Sequence, residues 1–344
     1  MTEIAEACGF QRLSVMHHAS GSGVWAKIKK RLGFYRDWKA ALRRMESGSL
    51  LLLQFPFHDL YYFCDRYLLE AKRRGIRLVY MVHDVERLRG SFNSPRHERE
   101  LEFMRNNADA VIVHNAAMRR FFSDELQMAP EKIITLGIFD YLCGDGKAGG
   151  AEAAVGENTA EKGALPQFAG ALYIAGNLDA EKTGYLRSLP ELKDLRFELY
   201  GINCPETLKR AENIHYNGAA APEELPGLLR NGFGLVWDGN SIDTCSGLYG
   251  EYLRYNSPHK LSLYLAAGIP VVIWEKAAQA EFVRAHGVGI TVGSLKEAAG
   301  KLEEAREQYP EMAAAALALS EKLRAGYYTR QALIKAEETV WPKC

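Results

Sequence analysis

The stretch YNSPHKLSLYLAAGIPVVIWEKAAQAEFV, residues 255–283, holds most of what the fold requires. A proline and a His-Lys pair precede an apolar helical run, which a Gly-Ile-Pro turn joins to the apolar run VVIW. A strand that is apolar throughout, fed directly by a helix, belongs in a parallel sheet covered on both faces. Pro258 suits a helix start, because the N–H it lacks would have no partner there. His259 and Lys260 then fall in the first turn, where unpaired backbone N–H groups point outward. A cation at a helix N-terminus is unfavourable by itself, so something negative is expected beside Lys260. Two partners are open: a diphosphate, which this reading favours, or a protein carboxylate such as Glu251 or Glu275.

The same alternation runs outward in both directions. Strands are expected at 12–18, 49–55, 76–84, 108–115 and 132–139, with charged helical stretches between them. GALYIAGN, RFELYG, NIHYNG, GFGLVWDG, IPVVIWE and VGITVG continue the series. Between the two groups lies a Gly-, Ala- and Glu-rich stretch almost free of large apolar residues, which reads as a linker or exposed insertion. The expected division is an α/β domain over 1–145, a linker over 146–164, a second α/β domain over 165–325, and a helical tail over 326–344 able to pack back on the first domain. At 344 residues, two cores are the better expectation than one.

Composition removes several functions. With 43 basic and 43 acidic side chains the chain lacks the basic excess of a general nucleic-acid binder. No apolar run is long enough to span a bilayer, and the first residues lack the pattern of a signal peptide. Six widely spaced cysteines without a CxxC pair suit reduced thiols, a cytoplasmic location and no cysteine-held metal.

Ligands of open α/β sheets bind where strands end, so the residues just after each strand are the candidates. In the first half these are His83 and Asp84, a carboxylate able to take a proton from a hydroxyl with a histidine to relay it. Asp84 is equally a helix cap. His58 and His114 follow the same rule, as does the loop with Ser20, Gly21 and Gly23, whose amides are open to an anionic or sugar ligand or serve packing alone. In the second half the rule selects Asn177 and Lys182, Tyr216 as a stacking or hydrogen-bonding group, and Asp238 as an acceptor for a sugar hydroxyl. Tyr255, Asn256, His259, Lys260 and Ser262 form the helix entrance, and Ala277 and Ala278 are expected to open a second helix with further amides.

YNSPHKLSLYLAAGIPVVIW, KAAQAEFV, GVGI, FGLVWDG, AGNL and KIITLGIFDYL resemble the bacterial glucosyltransferase 3 and β-1,6-galactofuranosyltransferase group. The resemblance implies the GT-B architecture, two Rossmann-like parallel-sheet domains facing a central cleft, with the UDP-sugar held mainly by the C-terminal domain and the acceptor entering from the N-terminal one. It also implies no metal and no cofactor beyond the UDP-sugar co-substrate, because basic side chains and helix amides stabilise the departing diphosphate. Many other GT-B transferases carry two glutamates eight positions apart before the Gly-x-Pro turn; here those places hold Tyr255 and Leu263.

The expected activity is transfer of a hexose, glucose or galactofuranose, from a UDP-sugar to a hydroxyl of a glycan, glycolipid or glycoprotein. Asp84 or His83 would serve as base and Lys260 would stabilise the leaving group. The alternatives are a sugar-nucleotide epimerase of the same fold, or a silent subunit that binds glycan or protein. Self-association and a peripheral location at the inner membrane face are further expectations. The latter rests on the basic stretch 25–44, which reads first as a helix packed on its own domain with a solvated charged face and second as a membrane contact.

Overall fold

The computed structural model describes residues 1–15, 23–57, 64–90, 94–143, 168–180 and 183–342. The chain forms two compact units, one from Met1–Leu136 with Thr329–Cys344, the other from Gly137–Tyr328.

The first unit carries a parallel sheet in the order β1 (Leu50–Phe55), β2 (Arg77–Val82), β3 (Ala110–Val113), β4 (Ile133–Thr135). Its central strands β2 and β3 are buried almost throughout, as their unbroken apolar sequence requires. The strand expected at 12–18 does not form over its described part. Residues 12–15 lie outside the sheet, and a cavity of about 660 Å³ is lined by Leu13 and Val15 on the one hand and by Leu50 and Leu52 of β1 on the other. Residues 16–18 lie outside the described residues.

The second unit holds six parallel strands: β5 (Ala171–Asn177), β6 (Arg196–Ile202), β7 (Ile214–Tyr216), β8 (Gly232–Val236), β9 (Val271–Trp274) and β10 (Gly289–Val292). Their order is β10-β9-β8-β5-β6-β7. From β5 the chain winds outward through β6 and β7; it then returns to the other side of β5 and winds outward again. The reversal lies between β5 and β8, and at such a switch point the connections leave a crevice beyond the strand ends.

Tyr264, on the His259–Ala266 helix, ties that helix to both strands at the reversal. Its ring packs over Gly234 of β8, and its hydroxyl accepts a hydrogen bond from Ala175 N of β5 at 2.9 Å. A Cβ on residue 234 would lie 2.0 Å from Tyr264 Cγ, which is why a central strand carries glycine there. Gly234→Ala is expected to expel this ring and orphan the Ala175 amide. The loss in stability should be about 3–5 kcal/mol, overpacking plus a broken buried hydrogen bond, read as a lower denaturant midpoint. An unchanged midpoint would contradict this packing.

Candidate donor site at the strand reversal

β8 ends at Val236, and the fully buried Trp237 follows, its indole N–H donating to Ser241 O at 2.9 Å. Gly239 has φ +101°, and a Cβ there would meet Ser246 O at 2.1 Å, so the loop folds tightly back on itself. These constraints fix Asp238 at the strand end. Behind it lie Tyr185 and Cys245, both fully buried; burial pushes the Tyr185 phenol well up, and the neighbouring Asp238 adds to the rise. Cys245 is held as a thiol by burial in the same way and serves packing.

Lys260 reaches this point from the first turn of its helix, entered through Pro258 in extended conformation. Its Nζ donates to Trp237 O at 2.8 Å and to Asp238 Oδ2 at 2.9 Å. The carboxylate expected as one alternative is therefore present, but it is neither Glu251 nor Glu275. Glu251 pairs with Arg254 at 2.6 Å, on the same short helical turn. Lys260 and Asp238, read from the sequence as separate contacts, form one ion pair. Their side chains are 21% and 20% exposed, so the pair is reachable from solvent. An ammonium has three N–H donors, and two are used. The third has no partner among the described residues and is open to an anionic ligand.

Around the pair the candidates divide. His259 is exposed and stacks on Phe139 at 5.0 Å, with 20° between the rings. Tyr255 and Asn256 are half-buried just before the helix. Asn177 ends β5, exposed, with its Oδ1 accepting from Asp179 N and Asn203 Nδ2, a clamp on the turn. Tyr216 donates its hydroxyl to Gly201 O at 2.9 Å, has Lys209 over its ring and packs against the core of its unit. Two expectations are corrected. Ser262 is fully buried and faces the core rather than the helix entrance's solvent side. The amides of Ala277 and Ala278 are spent on Trp274 O and Leu253 O, and the helix they were to open starts only at Ala280. Lys182 lies outside the described residues.

In the first unit, His83 and Asp84 follow β2. His83 N donates to Phe55 O at 2.8 Å, and its ring contacts the Gln54 side chain. The next helix has Val85 at its N-cap position, and the Asp84 carboxylate lies 3.4 Å from Arg89 Nη1 and is 36% exposed. His114 is corrected: it is buried, with Nε2 3.0 Å from Val82 O, and belongs to the core. Gly23 is exposed at the start of the Val24–Arg44 helix. Ser20, Gly21 and His58 lie outside the described residues.

Sequence reasoning passed over Glu100. It is almost fully buried and accepts the Phe57 amide; burial pushes its carboxyl up to about 7, against the pull of the Phe57 amide and Arg96. A charged residue on the inner face of the Pro95–Asn107 helix was the only available signal.

Two parallel-sheet α/β units, each with polar side chains gathered after its strands, define the GT-B class of architecture. The chain belongs to the glucosyltransferase 3-like family: that family's N-terminal domain matches residues 1–138 and its C-terminal domain residues 172–336. The protein is a glycosyltransferase. It is 32% identical over 320 residues to the β-1,6-galactofuranosyltransferase WbbI of Escherichia coli K12, covering 90% of this chain and 86% of that one. It is 28% identical over 342 residues to glucosyltransferase 3 of Streptococcus gordonii, covering 98% and 91%. Among solved structures, a Listeria monocytogenes protein described as a UDP-N-acetylglucosamine 2-epimerase aligns at a TM-score of 0.56 and 13% identity, over 100% of this chain and 87% of that one. A glycosyltransferase from Rickettsia africae aligns at 0.52 and 10%, over 94% and 84%. At these identities the two structures share the fold alone. No helix among the described residues is long and apolar enough to cross a membrane.

Proposed function

We propose that the protein moves a hexose, glucose or galactofuranose, from a UDP-sugar to a hydroxyl of a growing glycan, glycolipid or glycoprotein, without a metal ion. The observation that carries this reading is the Lys260 ammonium, fixed by Trp237 O and Asp238 at the reversal of the second sheet with one N–H to spare. As the sugar–phosphate bond breaks, negative charge grows on the diphosphate, and a positioned N–H and positive charge stabilise it there without reorganising. Asp238 keeps the Lys260 ammonium aimed. Asn177, Tyr255, Asn256 and His259 supply polar edges for the nucleotide and its sugar.

In the first unit Asp84 is the base, with His83 second. Asp84 takes the proton of the acceptor hydroxyl as the new C–O bond forms, and UDP leaves with the electrons of the old one. The names of the relatives support transfer of one of these two sugars: one is a galactofuranosyltransferase and the other a glucosyltransferase. A cytoplasmic location is in keeping with the free thiols of the described cysteines.

Calorimetric titration with UDP in EDTA tests the reading, with GDP and NAD as controls. UDP is expected to bind alone, with an affinity that EDTA does not change. Failure to bind any nucleotide would favour a silent glycan- or protein-binding subunit. Conversion of a UDP-sugar without an acceptor would favour an epimerase.

A further inference from the structure

The Val24–Arg44 helix has two apolar faces. At about 100° per residue, Phe34, Trp38 and Ala41 fall on one side. That side is buried in its own unit, with Trp38 stacked on Tyr67 at 6.3 Å. Trp25, Ile28, Leu32 and Tyr35 fall together on a second side, rotated by roughly a third of a turn. They remain 78%, 39%, 56% and 39% exposed. A helix that only covers its own sheet needs one apolar stripe, so the expectation of a solvated charged outer face accounts for half of this helix.

The exposed row extends for about 15 Å along the helix, at about 1.5 Å per residue. By the same helical spacing it is bordered by Lys29, Arg36 and Arg43, all exposed. The helix as a whole holds eight basic residues and one acidic residue, in a chain whose formal charge is zero. We propose that this second face docks on an anionic lipid bilayer. Trp25, Ile28 and Leu32 enter the boundary between headgroups and acyl chains, and Lys29, Arg36 and Arg43 lie on the lipid phosphates. Charge selects this occupant over a second copy of the chain. A two-fold contact through the same face would set one basic helix against another, whereas an anionic surface neutralises it.

The test is co-sedimentation of the full chain with vesicles of phosphatidylglycerol and phosphatidylcholine, against vesicles of phosphatidylcholine alone. Binding to the anionic vesicles is expected to be at least about tenfold stronger and to fall at high salt. Trp25→Ser with Leu32→Ser should lower it about tenfold, with the melting temperature and UDP binding unchanged. Lys29→Glu, Arg36→Glu and Arg43→Glu together should abolish it. Three results would overturn the proposal: no preference for anionic vesicles, equal binding by the Trp25/Leu32 variant, or a solution dimer that this variant dissolves. The last would assign the face to a second copy. UDP titration of the same samples keeps this result separate from the donor-site reading.

Discussion

Asp84→Asn is expected to lower kcat by about 10²–10⁴-fold while UDP binding stays as it is. The substitution keeps the size of the side chain and removes its ability to take a proton. Asp84 is a carboxylate at the end of β2, 36% exposed, with the Arg89 guanidinium 3.4 Å away. A kcat within about threefold of the parent would remove Asp84 from the base role. Assay of His83→Asn would then show whether the role passes to the second candidate.

Lys260→Ala is expected to cost about 10²–10³-fold in kcat/KM for the UDP-sugar, the range seen when one stabilising donor is removed from a developing anion. The loss here is twofold in character. The ammonium that would meet the diphosphate disappears, and Asp238 is left as an uncompensated carboxylate 2.9 Å from where Nζ stood. A diphosphate would then approach a negative charge instead of a neutralised pair. Asp238→Asn separates these contributions, since it keeps the cation while weakening its aim. It should reduce kcat more than it reduces UDP affinity. The pair is partly exposed, so Lys260→Ala should cost much less stability than the breaking of a fully buried pair. Donor kinetics equal to the parent's would show that the diphosphate does not meet Lys260.

The layered α/β pattern was legible because it is local. Apolar runs such as LVYMV and AVIV, bounded by charged helical stretches, can be satisfied only as buried parallel strands. The family resemblance was legible for a related reason, since the Pro-His-Lys segment and the Gly-Ile-Pro turn are contiguous in the chain. The segment 12–18 has the same local look, yet its described part stays out of the sheet. Strand formation needs a partner edge at hydrogen-bonding distance, and a sequence window contains no information about that partner.

The site divides in the same way. The sequence by itself determined that Lys260 stands in the first turn of a helix and needs a negative partner, because helix polarity and the proline before it are properties of adjacent residues. Only the tertiary structure decided that the partner is Asp238, 22 positions away and brought there by the tight turn after β8. It also decided that Ser262 and His114 are core and that Glu100 is a buried carboxylate. Burial and ion pairing depend on what other segments bring to the same place. The chain's local order fixes which residues arrive at a strand end, and packing alone fixes what they find there.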